Sequence, residues 1–164
     1  LVEDDLFEFK ELYNHVEEGN WKKVKSFIKN RREALFWAGS SGRTVLHDAT
    51  LAGHVNIVEG LVRMGGDKLV KIQDNQGYTA LALAARYTGN IEVAECMVQG
   101  AGVREDLLAI KNESGDIPLL VAAANGHIEM SDYLYQKTPD AVLKGQDSGK
   151  RVYLLERCIK EQIY

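Results

Sequence analysis

Histidine and cysteine are the side chains of this chain best suited to bind a metal ion or to act as base and nucleophile. The sequence holds four histidines and two cysteines, which are His15, His47, His54, His127, Cys96 and Cys158. A metal site needs several converging ligands, often at close helical spacing, and the sequence has neither an HExxH nor a CxxC motif. We therefore predict no metal site.

Phosphate binding and covalent catalysis are the other chemistries that the residue types allow. The pair Gly65-Gly66 and the segment Gly100-Ala101-Gly102 lack the flanking strand and the other residues of a phosphate-binding loop. Serines occur without a GxSxG motif, and no histidine has a recognisable nucleophile as its partner. We predict no catalytic residue, no cofactor and no enzymatic activity. An enzyme would require a deep polar pocket with strongly perturbed acids.

The composition is that of an ordinary globular protein. Of the 164 residues, 45% are hydrophobic and 27% are charged, and the formal net charge is −4. The longest apolar stretch, residues 117–124, is far shorter than the roughly 20 residues that cross a bilayer. The acidic start of the chain differs from a signal peptide, and cysteines are few, so we predict a cytoplasmic location. We expect the natural chain to continue beyond residue 164.

Two sets of glycines mark a segment that recurs along the chain. The first set comprises Gly42, Gly77, Gly115 and Gly149, which are 35, 38 and 34 residues apart. The second set comprises Gly19, Gly53, Gly89 and Gly126, and the copy that contains Gly89 has one extra residue before that glycine. Similar residues follow corresponding glycines, so the sequence predicts a tandem array of similar units.

Each unit has the pattern of two helices joined by a turn. Residues 44–52 place Leu46 and Ala49 on one helical face, and residues 55–62 carry a second apolar stripe. Glycine favours the left-handed geometry that ends the first helix, and the polar segment 74–77 is typical of a tight turn. A single unit cannot bury its apolar face, so the units must stack in a row. The predicted fold is all-α.

The pattern Gly-x-Thr-x-Leu-His-x-Ala at residues 42–49, followed by Gly-His-x-x-x-Val-x-x-Leu-Val at residues 53–62, resembles the ankyrin repeat. The resemblance implies an ankyrin-repeat solenoid of stacked helix-turn-helix units with short β-turn or hairpin tips. It also implies that His47 bonds the backbone and the Thr44 hydroxyl. The implied single domain, 1–164, has an atypical repeat at 6–39, central repeats at 40–74, 75–112 and 113–147, and a partial repeat at 148–164.

Three stretches are similar to a narrower group, the plant ankyrin-transmembrane proteins of the accelerated-cell-death type. They read GNWKKVKSFIKN, SGRTVLHDATLAGHVNIVEGLV and HIEMSDYLYQKTPD. This similarity implies that the array is the cytoplasmic part of a plant defence or stress signalling protein. It also implies that a membrane tether lies outside this fragment, which would hold the array at the cytoplasmic face of a membrane.

The ankyrin resemblance places partner binding on a concave strip formed by the turn tips and the exposed side of each first helix. The candidate residues on this strip are Arg43, Asn75, Gln76, Tyr78, Arg86, Tyr87, Asp116 and Asn125. Arginine and tyrosine are enriched at binding hot spots, and Tyr78, Arg86 and Tyr87 all belong to the second central copy. We therefore predict a non-enzymatic module that binds a protein partner, with its main contact in that copy.

Two alternatives remain for the function. Positive charge is concentrated in the first repeat at Lys22, Lys23, Lys25 and Lys29. These lysines form either an ordinary solvated face or a surface that attracts anionic lipid. The unfinished repeat at 148–164 could mediate self-association. Nucleic-acid binding is not expected, because net basicity and interleaved aromatic residues are both missing.

Overall fold

The computed structural model describes residues 3–146, which are almost entirely helices and tight turns. The helices are α1 (Glu3–Glu17), α2 (Trp21–Asn30), a 3₁₀-helix (Arg32–Leu35), α3 (Val45–Ala52), α4 (Val55–Val70), α5 (Ala80–Leu83), a π-helix directly after it (Ala84–Thr88), α6 (Ile91–Val98), α7 (Glu105–Leu108), α8 (Pro118–Ala124), α9 (Ile128–Lys137) and α10 (Asp140–Lys144). The predicted partial repeat at 148–164, with its proposed self-association surface, lies outside the described residues.

The helices form two layers that follow the order of the chain. In the inner layer α1, α3, α5 and α8 contact one another in succession, and in the outer layer α2, α4, α6 and α9 do the same. Ala49, Ala84 and Ala122 are fully buried in the inner layer, where small side chains let neighbouring helices approach closely. The prediction of an all-α solenoid of stacked helix pairs is confirmed.

The inner helices end at or just before the predicted glycines. Gly53, Gly89 and Gly126 follow them with left-handed φ angles of 75°, 61° and 74°. At the start of α3, His47 Nδ1 lies 3.1 Å from the Thr44 backbone nitrogen and 2.9 Å from the Thr44 hydroxyl oxygen. This is the bracing contact that the ankyrin resemblance implies.

The sequence predicts only an extended turn after each outer helix, but the structure has a short helical turn there. In the second and third central copies this turn is α7 and α10. In the first, α4 breaks at Gly66 (φ 57°, ψ −151°) and then resumes as far as Val70. Buried leucines anchor these turns, and α7 packs against both α6 and α9. The α7 turn thereby fills space between neighbouring outer helices.

Backbone hydrogen bonds join consecutive tips, the five-residue turns 39–43, 74–78 and 112–116. The Asn75 N–H donates to the Ser41 carbonyl (3.0 Å), and the Glu113 N–H donates to the Gln76 carbonyl (3.1 Å). The tips contain no β-strand within residues 3–146, where pairing is limited to two isolated bridges. They are therefore turns rather than hairpins.

Close stacking of the tips requires glycine at their fourth position. A Cβ atom on Gly77 would lie only 2.7 Å from the Glu113 backbone nitrogen, and the φ of Gly77 is 79°. Gly42 has the same constraint, because a Cβ there would lie 2.7 Å from the Asn75 backbone nitrogen. Gly42 and Gly77 are therefore needed for close approach as well as for turn geometry.

We predict that Gly77→Ala destabilises the protein more than Gly53→Ala. Both glycines have left-handed φ angles, so either substitution costs about 1–2 kcal/mol in backbone strain. Only at Gly77 does the added Cβ also collide with the next tip, because nothing lies within 4 Å of a Cβ on Gly53. Urea unfolding should therefore give a lower free energy for Gly77→Ala, and equal losses would contradict the stacking role of the tip.

Candidate functional site

Three predicted contact residues of the second central copy come together on the inner side of the stack. We call Tyr78, Arg86 and Tyr87 the Arg86 cluster. Arg86 Nη1 donates a hydrogen bond to the Tyr78 hydroxyl oxygen (2.5 Å). The guanidinium carbon lies 5.2 Å from the centre of the Tyr78 ring and 5.0 Å from that of Tyr87, within cation–π range. Tyr78 is 8% exposed and Tyr87 is 52% exposed, so Arg86 lies between an anchored ring and an accessible one.

One inserted residue shapes the helix that carries this cluster. Gly89 follows Gly77 by 12 residues, whereas the corresponding glycines of the first and third copies are 11 residues apart. The structure accommodates the extra residue as the π-helix Ala84–Thr88, in which the Gly89 N–H donates to the Ala84 carbonyl (2.8 Å). Single π-turns of this kind are frequent at functional sites. Arg86 and Tyr87 both lie inside it.

The third copy fixes the π-turn from the other side. His127 Nε2 donates to the Arg86 carbonyl (3.1 Å), and its ring lies so close to Gly89 that a Cβ there would be 2.6 Å from His127 Nδ1. His54 makes the corresponding hydrogen bond to the Glu17 carbonyl (3.0 Å). These histidines join neighbouring copies.

His47 also joins neighbouring copies and has a defined tautomer. Its Nδ1 accepts from the Thr44 N–H, so its Nε2 carries the hydrogen that is donated to the Tyr78 carbonyl (3.0 Å). Burial lowers the pKa of His47 and favours this neutral form. Between residues 3 and 146, no group of histidine, cysteine and acidic side chains is arranged to hold a metal ion.

The other predicted contact residues mostly stabilise the strip. Asn75 Nδ2 donates to the Ser40 carbonyl (2.7 Å), and Asn125 Nδ2 donates to a carbonyl inside α8 (2.8 Å). Asp116 is half-buried at the end of its tip, and Gln76 is exposed. Asn75 and Asn125 therefore hold the backbone in place, while the side chain of Gln76 projects from the strip.

Arg43 connects the first tip to the second. Its Nε lies 3.7 Å from Asp74 Oδ2, and Asp74 Oδ1 accepts from the N–H groups of Gln76 and Tyr78 (2.9 Å each). Asp74 is buried, so its charge depends on these donors. Arg43 thus pairs with the carboxylate that accepts from the backbone of Tyr78, and the hydroxyl of Tyr78 in turn holds Arg86.

A groove that the repeat pattern does not reveal lies between α1 and the first tip. We call it the N-terminal groove; its volume is about 520 Å³, and its lining comprises Phe7, Lys10, Tyr13, Trp37, Gly39, Ser40, Ser41, Arg43 and Asp48. The rings of Tyr13 and Trp37 meet edge to face with their centres 5.8 Å apart. Phe7 is 77% exposed. The aromatic residues come from the atypical first repeat, so comparison between copies gave no signal for them.

Asp48 is the unusual charged group of the N-terminal groove. Its side chain is half-buried and makes no hydrogen bond or close ion pair with the residues that the structure describes. Desolvation raises the pKa of Asp48 to about 6; the charge of Arg43 opposes this shift and that of Glu17 adds to it. Burial and the nearby charge of Asp48 also raise the pKa of Tyr13 well above its ordinary value. The fold therefore keeps a poorly compensated carboxylate at this position.

The predicted lipid-binding lysines lie on the outer layer. Lys22, Lys23, Lys25 and Lys29 are all exposed on α2, and helical spacing puts Lys22, Lys25 and Lys29 on one face. Among the described helices, none combines the length and the apolar character needed to cross a membrane.

Comparisons with known proteins agree with this architecture. Residues 12–107 and 70–147 match the family model of ankyrin repeats (3 copies). The human protein phosphatase 1 regulatory subunit 27 is 30% identical over 105 residues, which cover 64% of this chain and 64% of that protein. The chain thus spans slightly less than two thirds of that relative.

Two further relatives match over different shares of their length. The Notch-regulated ankyrin repeat-containing protein of Xenopus tropicalis is 29% identical over 89 residues, which cover 52% of this chain and 75% of that protein. The SMC5-SMC6 complex localization factor protein 1 of Bos taurus is 30% identical over 126 residues, which cover 75% of this chain but 12% of that protein. The shared region is thus a repeat array that occurs in proteins of different size.

We predict that Asp48→Asn raises the free energy of unfolding at neutral pH. The pKa of about 6 in the folded protein exceeds the ordinary 3.8, so ionisation costs stability as the pH rises between these values. We expect a gain of about 1–2 kcal/mol, less than the full pKa shift implies, because the carboxylate keeps some contact with water. Thermal unfolding across this pH range should show that the stability gained by Asp48→Asn becomes smaller as the pH falls.

Asp106→Asn is a control for which we expect the opposite effect on the free energy of unfolding. The Asp106 carboxylate pairs with Lys71, and this interaction lowers its pKa. Asp106→Asn should therefore lose stability at neutral pH, and the loss should shrink as the pH falls through the range in which Asp106 is protonated. If Asp48→Asn showed the same pH profile as this control, Asp48 would have a stabilising partner and its description as poorly compensated would be wrong.

Proposed function

Because this chain belongs to the ankyrin repeat family, we propose that it is a non-enzymatic interaction module that contacts a protein partner through the Arg86 cluster. Ankyrin repeats indicate a protein–protein interaction module, and the relative named above is a regulatory subunit of a phosphatase. The observation that carries the proposal is the π-turn that holds Arg86 between Tyr78 and Tyr87.

The chemistry of the cluster suits a partner that presents an acceptor. Among residues 3–146, no carboxylate forms an ion pair with Arg86, so its remaining donors are available. The hydrogen bond to Tyr78 already restricts the side chain, which reduces the entropy lost on binding. Tyr87 adds an exposed apolar ring beside the guanidinium. We infer that the partner places a carboxylate or carbonyl against Arg86 and an apolar side chain against Tyr87.

The double variant Arg86→Ala with Tyr87→Ala tests this proposal. Both side chains are accessible, and the His127 bond to residue 86 uses the backbone carbonyl, so the fold should survive. Partners captured by the wild-type protein should be lost, with affinity reduced at least about tenfold once a partner is purified. Quantitative mass spectrometry of parallel pull-downs gives the comparison.

The matched control removes an arginine and an exposed apolar residue from the outer layer. Arg63 pairs with Glu59 in the same helix, and Ile128 is exposed at the start of α9. Arg63→Ala with Ile128→Ala should keep the wild-type partners. If the control loses the same partners, or the Arg86 and Tyr87 variant keeps all of them, the Arg86 cluster is not the contact surface.

A narrower biological role rests on the similarity of three stretches to plant ankyrin proteins of the accelerated-cell-death type. We propose on this basis that the array is the cytoplasmic part of a plant defence or stress signalling protein, near the cytoplasmic face of a membrane. Self-association through residues 148–164 is a further proposal, and a strictly monomeric mass at high concentration would contradict it.

Anionic lipid is the second candidate ligand, favoured by the exposed lysine face of α2. The variant Lys22→Glu, Lys23→Glu and Lys25→Glu should lose binding to vesicles that contain about a third phosphatidylserine, since each well-placed lysine contributes about 1 kcal/mol. The control variant Lys111→Glu, Lys137→Glu and Lys144→Glu has the same change in charge and should retain binding. Vesicle flotation that is absent for the wild-type protein, or equal for both variants, would contradict a lipid role for α2.

A further inference from the structure

We propose that the N-terminal groove binds an arginine side chain of a partner, with the guanidinium stacked on the aromatic wall and paired to Asp48. This site is separate from the Arg86 cluster and does not depend on the function proposed for it. Its occupant is identified by two features of the groove, the fixed aromatic rings and a carboxylate that the nearby charge of Arg43 compensates only in part.

The aromatic wall is fixed before any ligand arrives. Phe9 stacks on Trp37 with ring centres 4.9 Å apart, and Trp37 meets Tyr13 edge to face at 5.8 Å. The Tyr13 hydroxyl donates to the Arg43 carbonyl (3.5 Å). Phe7 stands at the mouth of the groove with most of its ring exposed. Flat aromatic faces attract cations, and a planar guanidinium can stack on them.

Asp48 supplies the carboxylate for an ion pair with the guanidinium of the ligand. It is half-buried beside this wall and lacks a hydrogen-bond donor within the described part of the chain. Burial raises the pKa of Asp48 more than the charge of Arg43 lowers it, and Glu17 adds further negative potential. A guanidinium can donate two parallel hydrogen bonds to a carboxylate, which a lysine ammonium cannot do. The groove therefore favours arginine over lysine.

The two cations of the lining oppose this ligand to different extents. The guanidinium of Arg43 is directed at Asp74, with Nε 3.7 Å from Oδ2, so its charge is partly compensated. Lys10 is exposed at the rim and repels a cation only weakly through solvent. An acidic ligand would instead have to approach the desolvated carboxylate of Asp48. Substitutions at Lys10 and Asp48 should therefore have opposite effects on the affinity for a basic ligand and for an acidic one.

The proposal is tested with small blocked amino acids that carry one side chain each. ¹⁵N-labelled protein is titrated with N-acetyl-arginine amide, N-acetyl-norleucine amide and N-acetyl-glutamate amide, and NMR shifts are followed at the Trp37 indole and at residues 39–43. Arginine amide should bind saturably and at least about fivefold more tightly than norleucine amide. Glutamate amide should cause no saturable shift.

Three variants assign the binding to this groove. Asp48→Asn should weaken arginine amide at least about fivefold, and it should remain folded because it removes an unfavourable charge. Lys10→Glu should strengthen binding about two- to threefold by removing repulsion and adding attraction. The matched control Lys144→Glu makes the same change in charge on α10 and should leave the affinity unchanged within about 1.5-fold.

Several results would overturn the proposal. Equal affinities for arginine and norleucine amides would show an apolar groove without charge recognition. Preference for glutamate amide, weakened by Lys10→Glu, would show an acidic occupant instead. If arginine amide caused no saturable shifts, or if its affinity were unchanged in Asp48→Asn, the groove would not be an arginine-binding site. The pull-down with Arg86 and Tyr87 variants is measured separately, so either proposal can fail without the other.

Discussion

The close approach of successive copies is the constraint on which the rest of the structure depends. Each copy hydrogen-bonds its tip to the previous one, as the Asn75 N–H does with the Ser41 carbonyl. This approach is possible only because glycine stands at the fourth position of the tip and alanine faces the next inner helix. Once the spacing is fixed, side chains on the inner side of neighbouring copies lie in a defined register, which a binding surface requires.

The same stacking contacts reach the Arg86 cluster directly. His47 of the first central copy donates to the carbonyl of Tyr78, and His127 of the third donates to the carbonyl of Arg86. Tyr78 then holds the guanidinium through its hydroxyl oxygen. The position of Arg86 is thus set by groups in three consecutive copies, so destabilising either neighbour should also disorder the cluster. Binding and stacking are coupled in this molecule.

How much could be read from the sequence depends on whether a feature repeats. The helix-ending glycines recur along the array, so their spacing predicted where the inner helices end. The role of His47 was implied by the ankyrin resemblance instead, because the second and third central copies have Ala82 and Leu120 at that position. The extra residue before Gly89 was visible as well, but spacing cannot say whether an insertion makes a looped bulge or a π-turn. The N-terminal groove combines Tyr13 and Trp37 from the atypical repeat with Asp48 from a variable position, and only the folded chain brings them together.

The distribution of paired and unpaired charges indicates how a partner would lie. Beyond the inner helices, three cations have acidic partners: Arg63 pairs with Glu59, Lys71 with Asp106 and Arg104 with Asp67. On the inner side, within residues 3–146, Arg86 and Asp48 lack an ion pair, although one is a cation and the other an anion. They belong to adjacent copies, and no ion pair joins them. One partner segment that satisfied both would carry a base over the first central copy and an acid over the second, so it could bind in only one direction.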